Sequence, residues 1–407
     1  MRIMIISSIY LPMAGGLPLF SHRLAFYLQQ KGHIVKIIAP SETIFSQPRN
    51  IDGVNIMGMA SVKSYLYKNF RLTIAFGLYQ KLKKEILSFK PDVIHIQGHY
   101  ANERRAVSIA KKYNIPLIAT NHTAFESVAK LMPFSYFKPW SWLVEKLFWQ
   151  RIFATFKLVT IVTAPSQAAK KILHHHGLKI PTLVISNGLD IKIFHPKKSN
   201  PTLRKKYKLP DGLLLLSVSR LDKEKELSFA MAGVAIAIKK NLANKKPPFH
   251  FFIVGEGDEL KNLQQQAKKT GIADYVHFLG RLNNTLGTES DLPNLYATAD
   301  SFITASPMEI QGISVMEAMA SGLPIIAANR RALPELVSHK KNGVLFTLDD
   351  VDKLADKILY IMNNQHIRKK MAEQSLKKIR PHDIHAVIKK FESVYRTAIK
   401  QHNKKIS

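Results

Sequence analysis

The sequence predicts an α/β protein with two doubly wound, Rossmann-like domains, each built on a parallel sheet. Three observations carry that reading. The chain has 407 residues, more than one ordinary core organises and suited to two domains. Short apolar runs alternate with helix-patterned segments along most of its length, the signature of βαβ units. The alternation also pauses at a polar, proline-marked stretch, His195 to Pro201, and then starts again.

The elements of the first half follow in order. Residues 2–8 read as a buried strand and Pro12 to Gly16 as a loop. A helix is expected from Pro18, a residue suited to a first helical position, through Lys31, where Gly32 stops it. Ile34 to Ala39 is the second strand, which closes a βαβ unit and implies parallel pairing. Pro91 to Gln97 enters another strand, 103–113 is helical, and Ile115 to Thr120 and Leu158 to Ala164 are strands, the last followed by a helix over 166–176. Asn187 to Asp190 is a turn.

The second half repeats the pattern. Leu213 to Ser219 is a fully apolar strand, 226–240 a helix, His250 to Gly255 a strand and 258–269 a helix. Val276 to Leu279, Ser301 to Thr304 and Pro324 to Ala327 continue the strands. The domains are placed at 1–195 and 196–380, with a C-terminal segment at 381–407. Two such sheets are expected to face each other across a cleft, with ligands at the carboxyl ends of the strands.

Composition narrows the classes. No cysteine is present, so disulfides and thiolate metal sites are excluded and a cytoplasmic location is expected. Met1-Arg2 leads directly into Ile3 to Ser8, too short an apolar run for a secretory leader, and no run approaches the ~20 apolar residues of a membrane span. The net charge is +31, from 60 Lys and Arg against 29 Asp and Glu. A generally basic host proteome explains such a value, and so does an anionic partner: nucleic acid, a membrane surface or an anionic substrate. No nucleic-acid recognition motif is visible.

The most informative segment runs from Ser306 to Pro324. A strand ends at Thr304, a glycine loop follows, and a short helix begins, so its exposed N–H groups favour an anion such as a diphosphate. Glu309 lies in that loop, and Glu317, seven intervening residues on, is expected in the first helical turn. Ser314 and Glu317 equally fit a capping box. Glu309 has no comparable structural explanation and suits sugar hydroxyls.

A second segment, Ser217 to Glu226, places Arg220 at a strand end and Lys225 five residues later. Two cations there would neutralise a leaving diphosphate, although a solvated charged loop is the ordinary fate of such a run. Gly255-Glu256-Gly257 and Gly15-Gly16 occupy loops where backbone would approach phosphate or sugar, or where glycine only serves the turn. His122, just past the strand ending at Thr120, could bond sugar hydroxyls or cap the next segment. No His, Asp and Glu cluster has metal spacing, and no Gly-x-Ser-x-Gly or P-loop pattern occurs.

Together these segments resemble the retaining, GT-B-type glycosyltransferases of family four. The resemblance rests on Gly15-Gly16 with Lys31-Gly32-His33, on Pro91 to His95, and on Thr120-Asn121-His122. It continues through Ser186 to Asp190, Ser219-Arg220-Leu221 with Lys225, Val254 to Gly257, and Glu309 through Pro324. It implies that Arg220 and Lys225 hold the donor's diphosphate, that Glu309 bonds the transferred sugar, and that the backbone of Gln311, Gly312, Ile313 and Ser314 contacts sugar and phosphate. Glu317 would take the ribose hydroxyls, His122 would lie near donor sugar and acceptor, and Gly15, Gly16 and Gly255 would line the donor. It further implies an acceptor-binding first domain, a nucleotide-sugar-binding second domain, and a final helix crossing back to the first. Such enzymes retain configuration without an established protein nucleophile, the leaving phosphate taking the acceptor's proton on the same face. No metal or other cofactor is expected, only a nucleotide diphosphate sugar as substrate, with UDP-glucose the favoured donor.

One departure bears on the acceptor. Ile310-Gln311-Gly312 replaces the commoner aromatic-Gly pattern after the first glutamate and resembles the subgroup that glucosylates diacylglycerol, pointing to a lipid or glycolipid acceptor over a soluble glycan. The segment from Phe134 to Phe153 holds all three tryptophans, Trp140, Trp142 and Trp149, with Lys138, Lys146 and Arg151. That mixture suits a helix in the headgroup region of an anionic membrane, as it also suits an aromatic core helix. Residues 62–87 form a second basic, aromatic candidate. The expected location is peripheral, on the inner face of the cell membrane. Two rival functions remain at this level: a nucleotide-sugar epimerase on the same architecture, against which the Arg220/Lys225 and Glu309/Glu317 spacings argue, and a non-enzymatic membrane- or nucleic-acid-binding protein.

Overall fold

A computed structural model describes residues 1–13, 15–64, 70–122, 138–198, 201–282 and 290–406. The chain divides into two compact units, Met1–Gly188 with Ile384–Ser407, and Leu189–Asp383.

The first unit contains β1 (Arg2–Ile6), β2 (Ile34–Pro40), β3 (Gln47–Ile51), β4 (Val54–Met59), β5 (Ser61–Lys63), β6 (Arg71–Thr73), β7 (Val93–Ile96), β8 (Leu117–Thr120), β9 (Ile161–Ala164) and β10 (Thr182–Val184). Its main sheet has the order β10-β9-β8-β7-β1-β2-β4-β3, and β5 and β6 form a separate antiparallel ribbon. Every pairing in the main sheet is parallel except β3 with β4. Ile3, Met4, Ile5 and Ile6 are all fully buried, because a parallel strand covered by helices on both faces needs a continuous apolar run. The sheet order reverses between β1 and β7.

Two local differences from expectation have simple causes. The first helix runs Gly16–Gln30, so it begins two residues before Pro18. Proline is tolerated there because first-turn N–H groups have no intrahelical acceptor. Residues 40–90, unassigned from the sequence, supply β3 to β6 and the helix Leu78–Phe89. The β3–β4 hairpin turns at Asp52-Gly53, with φ of 51° and 80°, the pair of left-handed residues that a tight antiparallel hairpin demands.

The second unit contains β11 (Leu214–Val218), β12 (His250–Val254), β13 (Val276–Phe278), β14 (Ser301–Thr304), β15 (Ile325–Ala328) and β16 (Gly343–Phe346). Their order is β13-β12-β11-β14-β15-β16 and every pairing is parallel. Counted within the unit this is 3-2-1-4-5-6, the dinucleotide-fold order, whose ligand crevice lies where the order reverses, outside the carboxyl ends of β11 and β14. The core is made of Leu214 to Leu216, Phe251, Phe252, Phe302, Ile303, Ile325 and Ile326 with Met231, Val234, Leu354 and Ile358 from the covering helices.

The helix Ile384–Ile406 returns the chain to the first unit. Val387, Ile388, Phe391 and Tyr395 are buried, and the Tyr395 hydroxyl lies 2.9 Å from His95 Nδ1 on β7. His95 Nε2 continues the line to the Thr120 hydroxyl at 2.7 Å, which reaches Thr163 at 2.6 Å. That line of hydrogen bonds ties β7, β8, β9 and the final helix together inside an apolar core.

Candidate active site

In the second unit, β11 ends at Val218 and its chain runs on beside the loop after β12. Ser219 N–H donates to Val254 O at 3.1 Å and Leu221 N–H to Glu256 O at 2.9 Å. This contact requires Gly255: its φ is +140°, and a Cβ there would lie 1.8 Å from the Ser219 carbonyl oxygen. The glycine therefore answers to the neighbouring chain, which gives a steric reason for its presence beside the turn and donor-approach readings. One result of the contact is that Arg220 is placed at the mouth of the switch point.

Arg220 is held on both sides. Its Nη1 donates to Asp222 Oδ2, and its Nη2 to Glu224 Oε1 at 2.5 Å. Lys225 ends the short turn Lys223–Lys225, and its Nζ donates to Glu309 Oε1 at 2.7 Å. These residues are half-buried, with the Lys225 and Glu309 side chains only 16% and 20% exposed. Burial pushes the Glu309 carboxyl up. The Lys225 ammonium and, more weakly, the Arg220 charge outweigh that and hold it below its ordinary range.

Glu309 belongs to the loop after β14. Its carbonyl oxygen accepts from Ala332 N–H at 3.2 Å. Gly312 then caps the helix Ile313–Ala320 with φ of 80°, a conformation that costs a side-chain-bearing residue about 1–2 kcal/mol. The N–H groups of Ile313, Ser314 and Val315 form a first turn, where a helix leaves its donors outside the intrahelical ladder. Gln311, just before that turn, is buried.

The capping-box alternative for Ser314 and Glu317 is excluded by this geometry. The cap is Gly312, no side chain caps the helix, Ser314 is its second residue and Glu317 its fifth. Glu317 thus lies just past the first turn in which it was expected. It is 2% exposed, and its Oε2 accepts from the Tyr296 hydroxyl at 3.1 Å. The sequence reading missed Tyr296, because nothing in a lone Tyr within Asp291–Thr298 announces a partner 21 residues away.

His122, Gly15 and Gly16 belong to the first unit. His122 follows β8, and its Nε2 lies 2.9 Å from the Gln97 carboxamide oxygen. The ring packs on Phe20 with centroids 4.9 Å apart. Burial pulls its pKa down to about 3, so it is neutral near pH 7. An oxygen can only accept, so Nε2 carries the proton. Gly15 and Gly16 are exposed at the start of the first helix. The loop before them is anchored by residues absent from the sequence reading. The Tyr10 hydroxyl lies 2.7 Å from His22 Nδ1, His22 Nε2 lies 2.9 Å from Asp52 Oδ2, and Arg49 Nη2 donates to Leu11 O at 2.9 Å.

The tryptophan-bearing helix is Lys138–Phe156. Trp142, Leu143 and Leu147 are exposed at 62%, 40% and 54%, and Lys146 Nζ lies 5.0 Å over the Trp142 ring. Arg151 is exposed as well. Trp149 is not part of that surface: it is buried, and its ring stacks on His176 at 4.3 Å. With Phe148, Ile152, Phe153 and Phe156 it forms core, so the membrane expectation for Trp149 is overturned. The later turns of this helix are core, and its earlier turns expose aromatic and apolar side chains. The side chains of Lys138 and Trp140, and residues 65–69 and 123–137, lie outside the described residues. Among the described residues no helix is long and apolar enough to cross a membrane, and no three His, Asp or Glu side chains are gathered as metal ligands would be.

Comparison with known proteins agrees with this architecture. Residues 14–193 match the model described as Glycosyltransferase Family 4, and residues 199–378 the model described as Glycosyl transferases group 1. The chain is 28% identical over 356 residues to an alpha-monoglucosyldiacylglycerol synthase of Streptococcus pneumoniae, covering 85% of this chain and 75% of that one. It is 26% identical to the enzyme of the same name from Acholeplasma laidlawii, across the whole of both chains. Among solved structures, Anabaena HepE in complex with UDP and glucose shares the fold, with a TM-score of 0.75 at 19% identity over 98% of this chain and all of that one. Two domain matches that between them span most of the chain, on a pair of parallel-sheet units, settle the family: the protein belongs to the GT-B glycosyltransferases that join a family 4 domain to a group 1 domain.

Proposed function

We propose that this glycosyltransferase is a retaining hexosyltransferase that moves glucose from UDP-glucose to a membrane-borne acceptor such as diacylglycerol or another glycolipid. The observation that carries the donor half is the Arg220, Lys225, Glu309 and Glu317 constellation at the reversal point between β11 and β14. Arg220 and Lys225 would take the charge that develops on the leaving diphosphate, and the first turn at Ile313 would add N–H dipoles. Glu309, kept ionised by Lys225, accepts sugar hydroxyls, and Glu317 accepts ribose hydroxyls from inside the fold. These groups position and stabilise charge, and the leaving phosphate takes the acceptor's proton. We read the charge neutralisation as the work of these cations, with no metal required.

The acceptor half is supported by how charge and apolar surface divide. The first unit holds 30 Lys and Arg against 8 Asp and Glu, the second 30 against 21, so +22 of the +31 belongs to the first. The net charge is thus concentrated in the first unit. Of the exposed large apolar side chains among the described residues, all but Leu242 and Tyr360 lie in that same unit. A basic unit that exposes Trp142, Leu143, Leu147, Phe45 and Phe76 suits an anionic bilayer, at roughly 1 kcal/mol per well-placed Lys or Arg. The pneumococcal and Acholeplasma relatives are diacylglycerol-glucosylating by name, which supports the same choice.

The test is nucleoside diphosphate release from a panel of nucleotide sugars, with and without anionic vesicles containing diacylglycerol, in excess chelator. Release from UDP-glucose that requires the vesicles, with the β- or α-configuration of the lipid product read by NMR, decides donor, acceptor and stereochemistry together. Vesicle-independent release would remove the lipid acceptor, and loss of turnover in chelator would remove the metal-free reading.

A further inference from the structure

Both cations of the donor site are already spoken for within this unit. Arg220 spends its two terminal nitrogens on Asp222 and Glu224, and Lys225 is paired with Glu309. Among the described pairings, two cations therefore face three carboxylates before any ligand arrives. A doubly charged diphosphate adds to that imbalance unless a carboxylate is displaced. Glu309 has a use in the bound state, as the acceptor of sugar hydroxyls. Asp222 and Glu224 have none that the donor chemistry requires. Nor are they structural caps: Asp222 precedes the turn Lys223–Lys225, yet its side chain makes no capping hydrogen bond, and the turn closes through the backbone, Lys225 N–H donating to Asp222 O at 2.9 Å.

We propose that Asp222 and Glu224 are internal counter-ions of Arg220 that the donor's diphosphate displaces, and that their return to Arg220 drives the diphosphate product out. The proposal rests on the reading of Arg220 as a diphosphate ligand. Free Arg220 would be the better binder, since a guanidinium matches phosphate with two parallel hydrogen bonds. A site that binds its product too well turns over slowly, because release becomes limiting. Asp222 and Glu224 hold a stand-in for phosphate on short tethers. They lower the affinity for donor and product alike and keep the loop from Arg220 to Lys225 ordered between turnovers. They act through Arg220 and touch no reacting atom, so they are positioning residues.

The experiment measures UDP binding by calorimetry to wild type, Asp222→Asn, Glu224→Gln, the double variant and Arg220→Ala, at low and physiological salt, with inorganic pyrophosphate as a probe free of the base. The carboxamides keep the shape of the side chains and remove their charge, and a circular-dichroism melt confirms that each variant folds. Each single carboxamide is expected to tighten UDP and pyrophosphate about threefold, and the double variant about tenfold, the scale of part-exposed ion pairs. The gain should shrink at higher salt. In steady-state turnover the double variant should show a lower kcat with an undiminished kcat/KM, the mark of slowed release, and single-turnover transfer should be unchanged. Arg220→Ala should weaken both probes at least about tenfold.

The outcomes separate the two claims. If Arg220→Ala weakens UDP while the carboxamide variants bind as wild type or more weakly, the counter-ion proposal is overturned and the diphosphate role of Arg220 stands. If Arg220→Ala leaves UDP and pyrophosphate binding unchanged, or neither probe binds wild type, the donor-site reading fails and takes the proposal with it. A merely structural role for Asp222 and Glu224 would lower the melting temperature without tightening either probe, which also overturns it.

Discussion

Replacing Lys225 by methionine tests the electrostatics of the site most directly. The change keeps the aliphatic stem and removes the ammonium that lies 2.7 Å from Glu309. Breaking a fully buried pair costs about 3–5 kcal/mol, because the surviving charge is left in a poor dielectric. The side chains here are 16% and 20% exposed, so water screens part of the loss, and a cost of about 2 kcal/mol at pH 7 follows. The pH dependence gives the sharper signature. In the wild type Glu309 is held below its ordinary value of 4.5, so the pair's stabilisation is complete above pH 4.5 and is lost as the pH falls through the lower folded value. In Lys225→Met the burial that pushes Glu309 up, the largest influence on it, is opposed only by Ser306 and Arg220. Its folded value then lies above 4.5, and the penalty fades as acid neutralises the carboxyl. The deficit of the variant should therefore shrink toward about half or less between pH 7 and pH 4. All three tryptophans belong to the first unit, so their fluorescence does not report this change. Amide hydrogen exchange in β11 and β14 does, measured on wild type, Lys225→Met, Glu309→Gln and the pair. A coupling energy within about 0.5 kcal/mol of zero, or a deficit equal at both pH values, would refute the account.

Three further predictions concern the rest of the chain. His122, drawn down to about 3 by burial, stays neutral from pH 5 to 8, so turnover should show no inflection from it, while His122→Asn lowers turnover about tenfold to a hundredfold; a wild-type inflection near 6 that vanishes in the variant would show that His122 titrates. Its folded value lies below the ordinary 6.5, as does that of His95, so both support the fold above pH 6.5 and that support is lost progressively as the pH falls below it, a loss that urea unfolding at pH 7 and pH 5 measures. Gly255→Ala sets a Cβ 1.8 Å from the Ser219 carbonyl and should destabilise the second unit by about 3 kcal/mol or more, seen as early loss of exchange protection there; a variant as stable as wild type would show that the β11 and β12 loops can separate freely. Trp149→Ala should cost about 3–5 kcal/mol as a core truncation, whereas Trp142→Ala should cost less than about 0.5 kcal/mol and weaken binding to anionic vesicles in a sedimentation assay, and equal effects on stability would contradict the division of that helix.

What could be read from the sequence divides along physical lines. The central strands of both parallel sheets were legible because burial on two faces leaves a continuous apolar run, as in Ile3 to Ile6 and Leu214 to Leu216, whereas the short outer strands Thr182–Val184 and Gly343–Phe346 were not assigned. β3 was not legible, because Gln47 to Ile51 is largely exposed and its only strong signal is the Asp52-Gly53 turn; β4, though buried, is interrupted by Asn55 and Gly58. Arg220, Lys225 and Glu309 were legible because each lies in a loop that follows a strand end, where loops of this fold bear ligands, and Glu317 because it lies near the start of the helix after such a loop at a fixed spacing from Glu309. Their pairings were not. The bond from Lys225 to Glu309 spans 84 residues and that from Tyr296 to Glu317 spans 21, and such separations are set by strand order, which no local pattern prints. The Trp149 error has a related cause. An aromatic, basic helix that is buried in its last turns and exposed in its earlier ones has the composition of an interfacial helix throughout, and only packing against His176 separates the two ends.

The distribution of charge bears on how a site with more carboxylates than cations can serve an anionic substrate. The chain as a whole carries +31, so at long range it attracts a nucleotide sugar and speeds encounter, an effect that salt weakens. At contact range the ligand meets Arg220 and Lys225 already occupied by carboxylates. Under the counter-ion proposal these two scales control different steps. The distant field governs arrival, and Asp222 and Glu224 govern departure. Rising ionic strength should then slow donor association in wild type and the double carboxamide variant alike, whereas dissociation of UDP should differ between them at every salt concentration and converge only slowly. Stopped-flow measurement of both rate constants resolves this. Carboxamide variants that changed association and left dissociation untouched would place Asp222 and Glu224 in the long-range field and remove them from the release step.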